Sequence, residues 1–297
     1  MGEKIDVSKL RGTQGTAISV LEPKAYYAKS IPREDWELDF SKALAIWERL
    51  TGTEMYTLSG NNDTKRKIAA IGLVLRSKSF EELIDHYLGT LEDPVLVHFG
   101  PGLSDRSERY KAQMEQGLDF YDVDFPDMME FRRKFYEDSE HYKMLDADLS
   151  TYTWLEQIPA EQRKRPFVFV AEGVSPYLTE AQMKEMFSVL KENFPGCLLI
   201  FDTYSQLKLK GMKKDIAQME AEFFFANEDP AVMVGWGEEG EYVHVEEDNL
   251  LHRQDFLMHK HLHGFYKWLM GVFARWFRWN KGITRSTIVH VFRLGEA

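Results

Sequence analysis

Cysteine, long apolar runs and an excess of basic side chains are all missing or scarce in this sequence, and each shortage excludes a class of protein. Cys197 is the one cysteine among 297 residues, so the chain cannot form an internal disulfide or a thiolate metal cluster. No apolar run approaches the roughly 20 residues of a membrane span, and the amino-terminal stretch lacks the apolar core of a secretory signal. The 37 basic side chains face 48 acidic ones, and this excess of acid disfavours nucleic acid and anionic membranes as partners. We therefore predict a cytoplasmic protein with no nucleic-acid partner and no integral membrane segment, in which Cys197 is a small buried hydrophobe.

The first 90 residues have the pattern of a helical segment. Apolar residues recur at helical spacing in FSKALAIWERL and again in KIAAIGLVLRSKSFEELIDHYL. The turn-forming stretch TLSGNNDTK separates the two. Residues 1–90 are therefore predicted to form a helical cap or substrate segment.

Beyond residue 90, short apolar runs alternate with helical patterns. Buried strands are predicted for PVLVHFG, LDFYDVDFP, PFVFVAEG and PGCLLIFDTY, with KMLDADL as a weaker candidate and STIVHVFRL as the last strand. Helices are predicted for PDMMEFRRKFYED and for LTEAQMKEMFSVLKENF, where Thr179 and Gln182 have the spacing of a capping box. The alternation indicates an α/β fold, with a mostly parallel sheet and helices on both faces.

Charge is unevenly distributed late in the chain. Residues 215–252 contain eleven acids and no Lys or Arg, whereas residues 256–295 contain seven Lys or Arg and no acid. Without the acidic segment the chain has 37 acids, which equals its 37 bases, so one segment accounts for the formal charge of -11. We interpret 215–252 as a solvated acidic insertion. The basic, aromatic run FYKWLMGVFARWFRW is interpreted as a helix facing the core or a substrate pocket, rather than a membrane surface.

Three features fall at the ends of predicted strands, where open parallel sheets bind ligands. Gly100 and Gly102 follow the first strand, Asp124 ends the next strand 22 residues later, and Glu172 follows FVFVA. A glycine turn with an acid at this separation fits the ribose of a nicotinamide dinucleotide or of S-adenosylmethionine. The third glycine of GxGxxG is missing, and Asp105 would place negative charge near a pyrophosphate. The pattern therefore favours S-adenosylmethionine.

Four motifs in order then resemble one family. They are HFGPGLSDRSERY, YDVDFPDMMEFRRKF, DADL and VFVAEGVSPYLTEAQMKEMF, within about residues 70–205. Together they resemble the leucine carboxyl methyltransferase family, and more closely its bacterial branch with tetracenomycin-type polyketide O-methyltransferases. The resemblance implies a Rossmann-like S-adenosylmethionine-dependent methyltransferase core over residues 91–297, with the acidic insertion at about 215–252.

The resemblance also assigns roles to residues that match the family motifs. It implies that Arg76 grips the carboxylate of the cofactor's methionine part, that Asp124 holds the ribose hydroxyls, and that Glu172 lies beside the methionine part. The remaining implied cofactor contacts are Gly100 and Gly102 in the turn, and Asp148 and Leu149 beside the adenine. The chain departs from the family at Ser104, where relatives usually have Asp, so the role of that acid is displaced or lost here.

Acceptor-binding candidates come from the segment that, by resemblance, caps the cofactor cleft. They are Tyr26, Tyr27 and Arg33, together with the strand-end Tyr204. The sequence offers no evident general base, so no catalytic proton-transfer residue is assigned. A carboxylate acceptor is ionised at neutral pH and needs no base, whereas a phenol does. The absence of an evident base therefore favours a carboxylate acceptor.

These observations predict an S-adenosylmethionine-dependent O-methyltransferase that methylates a carboxylate, or a hydroxyl, of a small organic metabolite, with a polyketide-like compound as one candidate acceptor. The alternatives left open are a protein carboxyl methyltransferase acting on a chain terminus, a nicotinamide-dependent oxidoreductase, and a cofactor-binding scaffold without turnover. The identity of the acceptor and the oligomeric state are not predicted. No metal site is predicted, because the histidines of one late stretch are interpreted as surface residues: His252, His259, His261 and His263.

Overall fold

The computed structural model describes residues 3–56, 63–217, 220–227, 229–253 and 285–296, together with residues 264, 268, 271 and 272. The strands in these residues are β1 Ile5–Asp6, β2 Leu50–Thr51, β3 Val95–Phe99, β4 Asp119–Asp124, β5 Tyr142–Asp146, β6 Phe167–Ala171, β7 Cys197–Tyr204, β8 Tyr242–Asn249 and β9 Thr287–Leu294. The helices are α1 Gly12–Ser30, α2 Ser41–Trp47, α3 Asp63–Leu88, α4 Arg106–Arg109, α5 Lys111–Glu115, α6 Pro126–Arg132, α7 Glu180–Asn193, α8 Gln206–Ala217 and α9 Pro230–Val234.

The main sheet has the strand order β5-β4-β3-β6-β7-β9-β8. Strands β3 to β7 are mutually parallel, and β9 pairs antiparallel with both β7 and β8. From β3 the chain moves outward through β4 and β5, then returns to the other side of β3 with β6. The order therefore reverses between β3 and β6, and the carboxyl ends of these two strands form the switch point where such sheets bind ligands.

The sheet is covered on both faces, as the sequence predicts. One apolar cluster joins the amino-terminal helices to the sheet, for example Ile18 and Phe80 with Leu96 and Ile200. The other face is covered by α7, which buries the predicted stripe Met183, Met186, Phe187 and Leu190. Helix α7 begins with the predicted capping box, since the Thr179 side chain accepts from the Gln182 amide and the Gln182 side chain accepts from the Thr179 amide. The Rossmann-like α/β fold is confirmed.

Helix α1 was not predicted. It packs against α2 and α3, yet it buries Ser19, Glu22 and Lys24 and contains Pro23. Buried polar residues interrupt the apolar periodicity by which a sequence shows an amphipathic helix. Helix α1, whose Ala17 lies against Gly102, therefore has no clear sequence signal.

The late segments are only partly described. Within 215–252 the structure places α9 and the edge strand β8, and Cys197 is buried at the start of β7. Most of FYKWLMGVFARWFRW, as well as His259, His261 and His263, lies outside the described residues. Among the described residues, no helix is both long and apolar enough to cross a membrane.

Candidate functional site

A glycine turn follows β3 at the switch point. Gly100 and Gly102 have φ of +58° and +51°, a region that disfavours side chains. A Cβ at Gly100 would lie 2.7 Å from Val174 Cγ2, and one at Gly102 would lie 2.9 Å from Ala17 Cβ. Because Ala17 belongs to α1, this helix lies directly against the turn. Glycine is thus required at both positions by backbone conformation and by space.

Asp124 at the end of β4 is tied to that turn. Its carboxylate accepts the Gly102 amide at 2.9 Å and the Phe125 amide at 2.8 Å. Burial raises the pKa of Asp124 to about 6, and the two amide hydrogen bonds oppose this rise. Carboxylate oxygens have further lone pairs, so the side chain can accept from ribose hydroxyls as well.

The next position along the edge is the end of β5. The Ala147 amide donates to the Asp124 carbonyl at 2.9 Å, which places Asp148 and Leu149 beside Asp124. The Asp148 carboxylate accepts the amide and the hydroxyl of Ser150, at 2.8 and 2.7 Å. The structure therefore brings together the glycine turn, the predicted ribose acid and the predicted adenine neighbours.

A continuous series of buried ion pairs runs along the carboxyl-end edge of the sheet, from Lys24 on α1 to Asp202 on β7. We call it the ionic chain. Cations and carboxylates alternate along it, and neighbouring charged atoms are 2.7 to 3.7 Å apart. Its members, in order, are Lys24, Asp105, Arg109, Glu81, Arg106, Glu172, Arg76 and Asp202. Four positive charges balance four negative ones, so the ionic chain is formally neutral. Every one of these side chains is at most 12% exposed.

The predicted residues Arg76, Glu172 and Tyr204 meet at one end of the ionic chain. Arg76 Nε donates to Glu172 Oε1 at 3.0 Å, and its Nη1 donates to the Tyr204 hydroxyl at 2.5 Å. Asp202 Oδ2 lies 3.5 Å from the same Nη1, and Asp202 Oδ1 accepts the Gly173 amide at 2.7 Å. Helix α3 and the ends of β6 and β7 thus supply a guanidinium beside carboxylates at the switch point.

The charged state of these groups follows from their neighbours. Burial alone would raise the pKa of Glu172, but Arg76, Lys24 and Arg106 hold it well below the usual value. Burial likewise opposes the charge of Arg76, yet Tyr204, Glu172 and Asp202 keep its pKa above the usual value. Both groups are therefore ionised at neutral pH.

A second group of buried side chains contacts the ionic chain through Arg106. Arg106 Nη1 donates to His98 Nε2 at 2.7 Å, and His98 Nδ1 lies 3.3 Å from Asp122 Oδ1. Burial, followed by the nearby Arg106, lowers the pKa of His98 to about 4, so the ring is neutral. Arg132 donates to Asp122 Oδ2 at 2.7 Å and to the Ser104 carbonyl at 2.9 Å. These contacts fix the backbone of the turn around Ser104, the position where this chain departs from the family that it resembles.

The expectation that Asp105 brings free negative charge to the ligand edge is wrong. Its side chain is buried, with Oδ1 at 2.8 Å from Arg109 Nη1 and 3.7 Å from Lys24 Nζ. Two cations neutralise this carboxylate within the protein. The missing third glycine still disfavours a dinucleotide, but Asp105 does not.

The other acceptor candidates have different surroundings. Tyr27 is buried, packs edge-on against Phe40, and donates to the Asp35 carbonyl at 3.4 Å. Arg33 is exposed on the surface, where it pairs with Asp39. Arg66 lies over the ring of Tyr26 at 4.5 Å. The acceptor role of Tyr26, Tyr27 and Arg33 remains a prediction.

Several members of the ionic chain escaped the sequence analysis. Asp202 carries the same signal as Asp124, an acid near the end of a buried strand, and could have been found by it. Arg106 and Arg109 lie inside HFGPGLSDRSERY, where they directly follow the glycine turn, Ser104 and Asp105. Lys24 and Glu81 lie on helices and give no signal, because charged residues on helices are usually solvated.

Comparison with known proteins agrees with this geometry. The model of the leucine carboxyl methyltransferase family matches residues 13–191, which contain the glycine turn, Asp124, Arg76 and Glu172. The chain belongs to the leucine carboxyl methyltransferase family. The predicted family, and S-adenosylmethionine as the cofactor of that family, are thereby confirmed.

Two relatives and one solved structure are similar to this family member. The Streptomyces glaucescens tetracenomycin polyketide synthesis O-methyltransferase TcmP is 32% identical over 130 residues, 44% of this chain and 46% of TcmP. The S-adenosyl-L-methionine-dependent methyltransferase dpfgK of Gibberella zeae is 27% identical over 106 residues, 34% of each chain. The chain thus matches less than half the length of these relatives. A Thermobifida fusca protein provisionally classed as a methyltransferase shares the fold, with a TM-score of 0.54, 13% identity, and coverage of 82% of this chain and 95% of that one.

Proposed function

We propose that this chain is an S-adenosylmethionine-dependent O-methyltransferase that methylates a carboxylate, or a hydroxyl, of a small organic metabolite of the polyketide type. The observation that carries the proposal is the placement of Arg76 beside Glu172, 3.0 Å apart, at the switch point and inside a neutral ionic chain. The methionine end of the cofactor carries a carboxylate and an ammonium group. A guanidinium and a carboxylate side by side are the matching pair of charges.

Charge balance supports a zwitterion at this site. Burying an unpaired charge is costly, and a ligand group whose own charges cancel adds no net charge to a neutral, desolvated site. A pyrophosphate would add net negative charge to this neutral, desolvated site. This argument favours the amino-acid end of S-adenosylmethionine, whose carboxylate and ammonium cancel, over a nicotinamide dinucleotide.

The residues along the carboxyl-end edge of the sheet would bind the cofactor in a single orientation, from its methionine end to its adenine. Arg76 and Glu172 would bind the methionine carboxylate and ammonium, Asp124 the ribose hydroxyls, and Asp148 with Leu149 the adenine side. The glycine turn would let the ligand approach the backbone between these groups. When bound, S-adenosylmethionine supplies a methyl group activated by its sulfonium. The role of the protein in such a transfer is mainly to orient the acceptor oxygen.

Lys208 bears on which oxygen is methylated. Its ammonium lies 3.7 Å from the ring centre of Tyr204 and donates to the Thr287 hydroxyl. Burial, followed by repulsion from Arg76, lowers the pKa of Lys208 to about 7, while Asp202 opposes the shift. In its charged form it attracts a carboxylate, and in its neutral form it can take a proton from a phenol. Because the neutral amine of Lys208 could act as a base, a hydroxyl group is the second candidate acceptor.

A binding experiment tests the cofactor part of the proposal. We expect calorimetric titration to show binding of S-adenosylmethionine and S-adenosylhomocysteine, and none of NAD. Binding of NAD alone would replace the proposal with the oxidoreductase alternative. Tight binding of S-adenosylmethionine without turnover on any acceptor would support a scaffold.

An acceptor panel tests the oxygen that is methylated. It contains aliphatic and aromatic carboxylic acids, phenols, and a peptide that ends in leucine, with S-adenosylhomocysteine formation as the readout. Mild alkali then distinguishes the products, because methyl esters are hydrolysed and aryl methyl ethers are not. We expect alkali-labile product from small acids. Alkali-stable product would assign a hydroxyl acceptor, and turnover on the peptide alone would assign a protein substrate.

A further inference from the structure

A group of metal-ligating side chains lies at the far edge of the sheet, outside the site described above. We call it the His-Glu cluster: His244 and Glu247 on β8, and His290 on β9. In a regular strand, residues three apart point to opposite faces. Here the pairing slips by one residue between His244 and Glu246, so His244 pairs with Phe292 and Glu247 pairs with His290. This β-bulge turns all three side chains to one face.

The three donor atoms have the spacing of ligands around one ion. His244 Nε2 lies 3.2 Å from His290 Nδ1 and 4.0 Å from Glu247 Oε2, and His290 Nδ1 lies 3.8 Å from Glu247 Oε2. The point in the plane of these three atoms that is equally distant from all of them lies about 2.1 Å from each. This distance is within the zinc–nitrogen and zinc–oxygen bond lengths of about 2.0 to 2.2 Å. Two imidazoles and one carboxylate are a common zinc donor set.

The surroundings of the His-Glu cluster provide both support and access. Histidine ligands usually hydrogen-bond through their second nitrogen, and His290 Nε2 lies 3.0 Å from the Thr203 hydroxyl. His290 is fully buried, whereas the side chains of His244 and Glu247 are 20% and 26% exposed. An ion could therefore reach the three donors from solvent.

From this geometry we propose that His244, Glu247 and His290 bind one divalent transition-metal ion of the zinc type, which would link the last two strands of the sheet. The hydrogen bond between the two histidines requires a proton on one of the facing nitrogens. Binding of the ion requires that proton to move to the other nitrogen of the same ring, so that the ring stays a neutral imidazole; on His290 this nitrogen is Nε2, which then donates to the Thr203 hydroxyl. Each nitrogen then donates its lone pair to the ion.

Arg285 is the competitor for the same carboxylate. Its guanidinium donates to Glu247 Oε1 at 2.5 Å and to Oε2 at 2.6 Å. It holds the carboxylate in place, and its charge weakens the attraction for a second cation. The proposal therefore requires that removing this charge strengthens metal binding, whereas a purely structural hydrogen-bonded cluster requires no such effect.

The test is a zinc titration of the full chain after removal of metal with a chelator, followed by competition with a chromophoric chelator. Cobalt(II) serves as a spectroscopic probe of the ligands. We expect one equivalent to bind, with affinity at least tenfold lower in His244→Gln and in Glu247→Gln, and several-fold higher in Arg285→Gln. We also expect zinc to raise the Tm of the wild-type chain.

Controls separate this site from other histidines, since the chain contains nine. His141 also pairs with a carboxylate, with Nδ1 at 2.9 Å from Asp119 Oδ1, so His141→Gln is the matched control and should bind zinc normally. Absence of binding in both the wild-type chain and Arg285→Gln would overturn the proposal. Binding that is unchanged in His244→Gln but lost in a His259→Gln/His263→Gln double variant would overturn it as well. His290→Gln is avoided as the main test because its side chain is fully buried and the variant could misfold.

Discussion

The sheet carries two clusters of titratable side chains, and they are built in different ways. The ionic chain gathers eight charged side chains from α1, α3, the segment after β3 and the ends of β6 and β7. The His-Glu cluster takes its three donors from two neighbouring strands. In the ionic chain every interior charge contacts two opposite charges. In the His-Glu cluster burial lowers the pKa of His290 to about 3, so this ring is neutral, and the Glu247 carboxylate accepts from Arg285.

The two clusters differ in how they respond to the removal of a charged side chain and to the binding of a charged ligand. A charge removed from the ionic chain leaves desolvated partners behind, which is costly. The ionic chain therefore favours a ligand group whose own charges cancel, such as the amino-acid end of the proposed cofactor, over a lone ion. The His-Glu cluster is partly exposed and offers neutral nitrogen ligands, so it can accept a cation.

The largest effect is expected for Arg106→Met. This change leaves Glu81 and Glu172 buried with one partner fewer, and we expect unfolding free energy to fall by about 3 to 5 kcal/mol. Urea denaturation measures the loss. The matched control is Arg133→Met, which breaks the exposed pair with Asp146 and should cost about 1 kcal/mol or less. If Arg106→Met does not fold, Arg106→Lys should fold with a smaller loss. Equal costs for Arg106→Met and the control would remove the distinction.

The second prediction concerns Asp124 and pH in the ligand-free protein. Because burial raises its pKa to about 6, the folded state binds this proton more tightly than the unfolded state. The contribution of Asp124 to stability is therefore greatest at low pH and is lost as pH rises through 6. The stability difference between wild type and Asp124→Asn should fall by up to about 3 kcal/mol from pH 4 to pH 7. Denaturation at several pH values measures it, with the exposed Asp127→Asn as control. A difference that does not change with pH would contradict this account.

The third prediction separates ligand binding from structure at Glu172. Glu172→Gln should weaken S-adenosylhomocysteine binding about tenfold to a hundredfold, because a charge-assisted bond to the ammonium is worth about 1.5 to 3 kcal/mol. Binding of 5′-methylthioadenosine, which lacks the ammonium and the carboxylate, should change less than twofold. Glu180→Gln, in an exposed pair with Lys184, is the control. Equal weakening of both ligands would show that Glu172 acts only through the structure.

The smallest effect is expected for Arg285→Met without metal. Its pair with Glu247 is partly exposed, so we expect a loss of about 1 kcal/mol or less in unfolding free energy. Urea denaturation in the presence of a chelator measures it. A loss as large as that of Arg106→Met would mean that the two clusters do not differ in their coupling to the fold.

Much of the fold was predictable because burial leaves a periodic pattern. The runs VLVHF and FVFVA are apolar at every position, or nearly so, and they became the fully buried strands β3 and β6. Thr179 and Gln182 predicted the start of α7 through a local hydrogen-bond pattern. Helix α1 gave no such signal, since its buried Glu22 and Lys24 are stabilised by residues distant in sequence.

The strand-helix alternation, the glycine turn and the strand-end acids Asp124 and Glu172 can be located from the residues alone, because each depends on local pattern or on position at a strand end. The partners of the buried charges depend instead on the tertiary structure. It neutralised Asp105 with Arg109 and Lys24, and it placed Arg76 against Glu172 across 96 residues of sequence. It also turned His244, Glu247 and His290 to one face through a single bulge. The physical reason is that a charge can be buried only where opposite charges converge on it, and that convergence depends on how distant segments pack.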